Sequence, residues 1–135
     1  MGRLNDCEKR MNNPEVTMHE RQNPTGFDAL DKAIEAAGIA ISLAIRVPAP
    51  LKPIADQVIR SASSVPANIA EGAGPSGRGR MYHYRIAYGS AKEVDTHLRL
   101  LIGAGAVTAS SAEKAVRLFD DVRALTWRLL HPKAS

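Results

Sequence analysis

Aromatic residues are scarce in this sequence: one Trp, three Tyr and two Phe amount to 4% of 135 residues. Sandwiches and barrels rely on aromatic and β-branched strands, so the shortage argues against an all-β fold. No alternating apolar run bounded by turn residues competes with that conclusion. Cysteine occurs once, at Cys7, so no disulfide can form within the chain; this suits a reducing compartment and leads us to expect a cytoplasmic protein. The N-terminus lacks the apolar run of a signal peptide. The longest apolar stretch, residues 38–45, is far too short to span a bilayer, so no membrane partner is expected.

Chemistry-bearing patterns are equally sparse. The four histidines are His19, His83, His97 and His131, and none has metal-ligand spacing. His83 and His97 share a helix face, and Glu93 lies one turn before His97, an arrangement expected to give a surface ion pair. No Ser/His/Asp or Cys/His set follows from the spacing. Gly72-x-Gly74-x-x-Gly77 matches the dinucleotide-binding pattern letter by letter, but it follows a helical segment where that pattern needs a strand. No catalytic residue, metal or cofactor is assigned, and the protein is expected not to be an enzyme.

What the sequence does have is helical periodicity. Hydrophobic residues make up 44%, a globular proportion, and the length fits one domain with an aliphatic, Ala-rich core. Residues 1–24 are polar, aperiodic and broken by Asn-Pro turn signals; they read as a flexible leader to a helical domain at 25–135. A first helix is predicted from a cap at Thr25 to just before Pro48, with Phe27, Leu30, Ile34, Ala37, Ile41 and Ala44 as its buried stripe. A second, about 51–73, buries Ile54, Val58, Ala62, Val65 and Ile69. Pro66 removes an amide inside it, so a kink is expected, with Ser63 and Ser64 compensating through side-chain hydrogen bonds. A third, about 80–102, buries Tyr84, Ala87, Ala91, Val94, Leu98 and Leu101. The fourth opens with Ser110-Ser111-Ala112-Glu113, which has the capping-box pattern, and buries Ala115, Leu118, Phe119, Val122, Leu125 and Leu129. Four helices with short connections predict an all-α, antiparallel up-down-up-down four-helix bundle.

Two segments carry a resemblance. Ile59-Arg60-Ser61-Ala62-Ser63-Ser64-Val65-Pro66-Ala67-Asn68-Ile69-Ala70-Glu71-Gly72 resembles the signature of the bacterial four helix bundle protein family. Ala87-Tyr88-Gly89-Ser90-Ala91-Lys92-Glu93-Val94-Asp95-Thr96-His97-Leu98 is similar to that family's third-helix pattern. The family includes proteins encoded by intervening sequences of 23S rRNA genes, and the accessory variability protein of diversity-generating retroelements. The resemblance covers about residues 27–131. It implies a ring-like homopentamer. For the retroelement members it implies a basic surface that binds nucleic acid and engages a reverse transcriptase. The turn Gly72-Ala73-Gly74-Pro75-Ser76-Gly77 departs from the denser basic run of many members.

The residues themselves supply a candidate binding surface. The formal charge is +4, and Arg78, Arg85, Lys92 and Arg99 recur every seven residues. Seven residues return almost to the same helix angle, drifting about 20° each time. If the third helix includes Arg78, all four cations project from one face, where they would contact RNA or DNA phosphates without reading sequence. Arg60 and Arg80 would widen the patch. Tyr82, Tyr84 and Tyr88 interleave with these cations, a pattern that suits base stacking; Tyr84 and Tyr88 point towards the core, so burial of their rings with the hydroxyls at the edge is the favoured reading. Pro66, Asn68, Glu71, Gly72, Gly89, Ser90 and Glu93, from the family motifs, read as structural: Asn68 satisfying groups that Pro66 leaves bare, Glu71 bonding backbone amides or an arginine, Gly72 closing its helix in a left-handed conformation. Ile86, Gly89 and Leu100 form an apolar flank expected to meet another subunit. The leading expectation is a non-enzymatic, homo-oligomeric nucleic-acid-binding or accessory protein. The alternative is a protein-interaction scaffold, for example one engaging a reverse transcriptase.

Overall fold

The computed structural model describes residues 26–75 and 77–133. The leader, the cap expected at Thr25 and the side chain of Phe27 lie outside the described residues. Among those described there are four α-helices and no strand: α1 (Gly26–Ala44), α2 (Lys52–Gly72), α3 (Arg80–Gly103) and α4 (Ala109–Leu130). A single 3-10 turn (Ala49–Leu51) leads into α2. The helices pack in a cycle, α1 on α2, α2 on α3, α3 on α4 and α4 on α1. No helix among the described residues is long and apolar enough to cross a membrane.

The core is aliphatic, with Phe119 its largest fully buried side chain. The stripes predicted for α2 and α3 are buried in the structure, apart from a half-buried Ile54. In α4, Leu125 and Leu129 are only partly buried, while Thr126 is fully enclosed. Its hydroxyl donates to Val122 O at 2.8 Å. A threonine can thus occupy a helical core position by satisfying its own polar group one turn back.

The first helix is rotated from the expected stripe. Ala37 and Ala44 are buried as expected, but Ala29, Ala33, Ala36 and Ala40 complete the core face, whereas Ile34 is 55% exposed. Both stripes have a helical period, so the pattern alone does not choose between them. The bundle takes the alanines because small side chains let α1 sit close to its neighbours, as close packing demands. The larger side chains move to the flanks: Leu30 and Ile41 pack at the edge of the core, and Ile45 stays 69% exposed.

Local details correct three further expectations. The cap of α4 is Thr108 rather than Ser110, with its hydroxyl accepting from Ser111 N at 3.2 Å; the Ser110/Glu113 box does not form. Gly72 is not left-handed. It is buried at the end of α2, and a Cβ there would lie 2.5 Å from Tyr84 Cε1, so close approach of the Tyr84 ring is what requires glycine. Among the described residues, the left-handed ones are Gly77, Gly79 and Gly105. Finally, α2 continues through Pro66 without a stop, as expected, but the expected side-chain compensation does not form. Ser63 Oγ donates to Arg60 O, and the Asn68 amide to Ser64 O, so neither side chain reaches the Ala62 carbonyl that Pro66 leaves without its amide.

Candidate nucleic-acid interface

The helix α3 carries the basic row, and its starting point decides how long the row is. Gly79, at φ 70°, is the residue before α3. Arg78 therefore lies in the preceding turn, between left-handed Gly77 and Gly79, and not on the helix. The heptad row shortens to Arg85, Lys92 and Arg99, all exposed. Arg80 is committed to structure: Nε donates to Gly72 O at 2.9 Å and a terminal nitrogen to Gly74 O at 3.4 Å. It ties down the Gly72 carbonyl at the end of α2 and adds to the bond that Gly74 O accepts from Gly77 N. Arg60 is exposed on α2, nearly opposite that helix's buried Ala62, and does not join the row. Arg99 Nε donates to Asp95 Oδ2 at 3.1 Å. Asp95 is mostly buried, and its other oxygen has no hydrogen-bond partner.

The row borders an aromatic cluster between α3 and α4. Lys92 Nζ stands 5.7 Å from the centre of the half-buried Tyr88 ring, within cation–π range. Tyr88 tilts against Trp127, with ring centres 6.1 Å apart. Trp127 stacks on His131 at 3.7 Å with 29° between the planes. The order along this flank is thus cation, phenol, indole, imidazole. Trp127, Arg128, His131 and Lys133 line a cleft at the C-terminal end of α4. Tyr84 is buried, as expected, whereas Tyr82 is 64% exposed. Sequence reasoning missed Trp127 and His131 because neither falls on the buried stripe of α4. The available signal was the chain's one tryptophan lying off that stripe, four residues before a histidine.

The motif residues of α2 and α3 meet in a polar seam. Asn68 Nδ2 donates to Ser64 O at 2.8 Å and to Ser64 Oγ at 3.1 Å. Ser90 Oγ donates to Ser64 Oγ at 2.9 Å across the helix pair. His83 Nδ1 lies 3.0 Å from Asn68 Oδ1; with the Asn68 amide nitrogen already donating, that oxygen accepts and Nδ1 carries the proton. Ser90 and Asn68 thus clamp α2 to α3. Glu71 and Glu93 are exposed, and neither makes a side-chain bond to the described residues of the kind expected. His97 Nδ1 instead meets the Glu93 backbone carbonyl at 2.9 Å, so the surface ion pair does not form. No group of three or more His, Cys, Asp or Glu able to hold a metal gathers among the described residues.

The family model for the 23S rRNA-intervening sequence protein matches residues 27–127. The chain belongs to this family. The match takes in the α2–α3 seam, the row on α3 and, at its last residue, Trp127. A solved structure of a protein of unknown function from the S23 ribosomal protein family of Bacteroides thetaiotaomicron has the same helical fold. It is 22% identical, covers 76% of this chain and 98% of its own, and superposes with a TM-score of 0.64. No protein among those with curated descriptions is significantly similar to this chain.

Proposed function

We propose that this 23S rRNA-intervening sequence family member is a non-enzymatic, self-associating protein that binds nucleic acid along the α3/α4 flank. Arg85, Lys92 and Arg99 contact phosphates there. The observation that carries this reading is the row itself: three exposed cations at heptad spacing beside an exposed aromatic cluster. A row of cations on one helix face follows a phosphate backbone by releasing its counterions and needs no base contacts. Such binding weakens steeply with salt.

The topology belongs to the same proposal. Arg80 bonds to Gly72, His83 to Asn68 and Ser90 to Ser64. Numbers fall along α2 as they rise along α3, which supports an antiparallel pair. Lys32 with Asp121 and Glu35 with Lys114 follow the same pattern for α1 and α4. An up-down-up-down bundle satisfies both, with short connections between consecutive helices.

Self-association is supported by apolar surface that the single chain leaves uncovered. Ile34 and Ile45 project from α1, and Leu100 is 52% exposed on α3. Gly38 and Gly89 sit inside α1 and α3 with nothing within 4 Å of the position a Cβ would take. A mid-helix glycine costs about 0.5–1 kcal/mol relative to alanine. A neighbouring subunit packed against these faces would supply the missing return, in the homopentamer that the family resemblance implies.

The test is a salt titration of binding to short RNA and DNA, comparing the natural chain with a variant carrying Arg85→Ala, Lys92→Ala and Arg99→Ala. Both proteins are first matched for mass by light scattering. Salt-sensitive binding with a shallower slope in the variant is the expected result. No binding at low salt would refute the reading and favour the scaffold alternative, in which the uncovered apolar faces receive a protein partner.

A further inference from the structure

We infer that the Trp127–His131 stack, together with Tyr88, is a shelf for unpaired nucleobases, so that the ligand of this flank is single-stranded nucleic acid. This rests on the phosphate-binding reading above and adds to it the class of strand that is bound.

Three features point to a flat-ringed, anionic occupant. The first is uncovered aromatic surface. Trp127 is 52% exposed, its indole N–H makes no hydrogen bond to the described residues, and it lies off the buried face of α4. Such a ring contributes little to the core at this position, yet it is held in place. His131, the residue that ends α4, presents both its backbone N–H and its ring Nδ1 to Trp127 O, at 2.9 Å and 3.0 Å. The carbonyl accepts, so Nδ1 carries the proton, and the imidazole is pinned parallel to the indole. The exposed imidazole continues the stack outward.

The second feature is charge. Lys92 borders the shelf on the α3 side, and Arg128 and Lys133 line the cleft on the other. The carboxylates of the same flank, Asp95 and Asp120, already accept from Arg99 and Arg123. The third is continuity: the shelf is reached along the row from Arg85 through Lys92, so one strand can lay phosphates on α3 and turn bases onto α4. Aromatic stacking beside a basic track suits single strands of any sequence, since every base has a π-face. A duplex keeps its bases stacked inside and offers the shelf only its ends.

The experiment uses the chain's one tryptophan as its own reporter. Trp127 fluorescence is titrated with three probes: a short oligoadenylate, an abasic strand of the same number of phosphates, and the corresponding duplex. Affinities of Trp127→Ala and His131→Ala are measured in parallel by anisotropy, after their folds are checked by circular dichroism. Oligoadenylate should quench the fluorescence strongly, and the abasic strand and duplex only weakly. Trp127→Ala should weaken oligoadenylate binding about fivefold to a hundredfold while leaving the salt slope unchanged, because no charge is removed. If the three probes bind alike and neither variant weakens oligoadenylate, the shelf is overturned while the phosphate row stands. If nothing binds at low salt, both readings fall. A change of assembly mass in Trp127→Ala, with unaltered oligonucleotide affinity, would make the cluster a subunit contact and also overturn the inference.

Discussion

Gly72→Ala is the substitution whose sign the structure decides most clearly. On helix propensity alone it should stabilise, since alanine is preferred over glycine by up to about 1 kcal/mol in a helix. The Tyr84 ring reverses that expectation. A Cβ on Gly72 would lie 2.5, 2.7 and 3.1 Å from three ring carbons, where carbon atoms prefer about 3.5–4.0 Å. The ring must therefore retreat by about 1 Å. Tyr84 is only 4% exposed, in a close-packed interior where overpacking costs about 1–3 kcal/mol. After subtraction of the propensity gain, a net loss of up to about 2 kcal/mol remains. The assay is urea denaturation followed by far-UV circular dichroism at fixed protein concentration, because self-association would otherwise shift the midpoint. A lower midpoint with an unchanged slope is expected. Shrinking the ring with Tyr84→Leu should reduce the cost of Gly72→Ala, giving a favourable coupling in the double-mutant cycle. An unchanged or raised midpoint for Gly72→Ala would refute the close-approach argument.

Other perturbations test neighbouring parts of the account. Thr108→Ala should cost about 1 kcal/mol by removing the α4 cap, whereas Ser110→Ala should leave the denaturation midpoint nearly unchanged. Asn68→Ala should cost about 1–2 kcal/mol, because it deprives Ser64 of a donor and His83 of its acceptor in a partly buried seam; thermal denaturation reads this directly. Gly38→Ala and Gly89→Ala should each stabilise the helices by about 0.5–1 kcal/mol at concentrations where the chain is monomeric. At higher concentration they should weaken self-association, seen as a lower mass by light scattering.

The helices were legible because their periodicity is local. Turn residues, prolines and heptad steps mark α2 and α3 to within a residue or two, and the stripe of α3 is the one that is buried. What the pattern does not carry is the choice between two apolar faces of one helix. For α1 the alanine and isoleucine faces both repeat at helical spacing, and only the neighbours' demand for close approach selects the alanines. The role of Gly72 was hidden for a similar reason: its constraint comes from Tyr84, twelve residues away in the next helix. The candidate site was half legible. Heptad spacing placed Arg85, Lys92 and Arg99 together, but Gly79 starts α3 too late for Arg78, and Arg80 turns back to the end of α2. The aromatic cluster depends on α3 and α4 lying side by side, which no spacing within either helix records.

The most direct test of the central claim is lysine-modification footprinting, read by mass spectrometry, with and without a short single-stranded RNA. The described residues offer internal controls. Lys92 and Lys133 lie beside the proposed strand, whereas Lys52 and Lys114 pair with Asp56 and Glu35 elsewhere on the surface. Protection of Lys92 and Lys133, with Lys52 and Lys114 modified as before, is the result this account predicts. Equal modification of all four lysines in saturating RNA, or protection confined to Lys52 and Lys114, would contradict it.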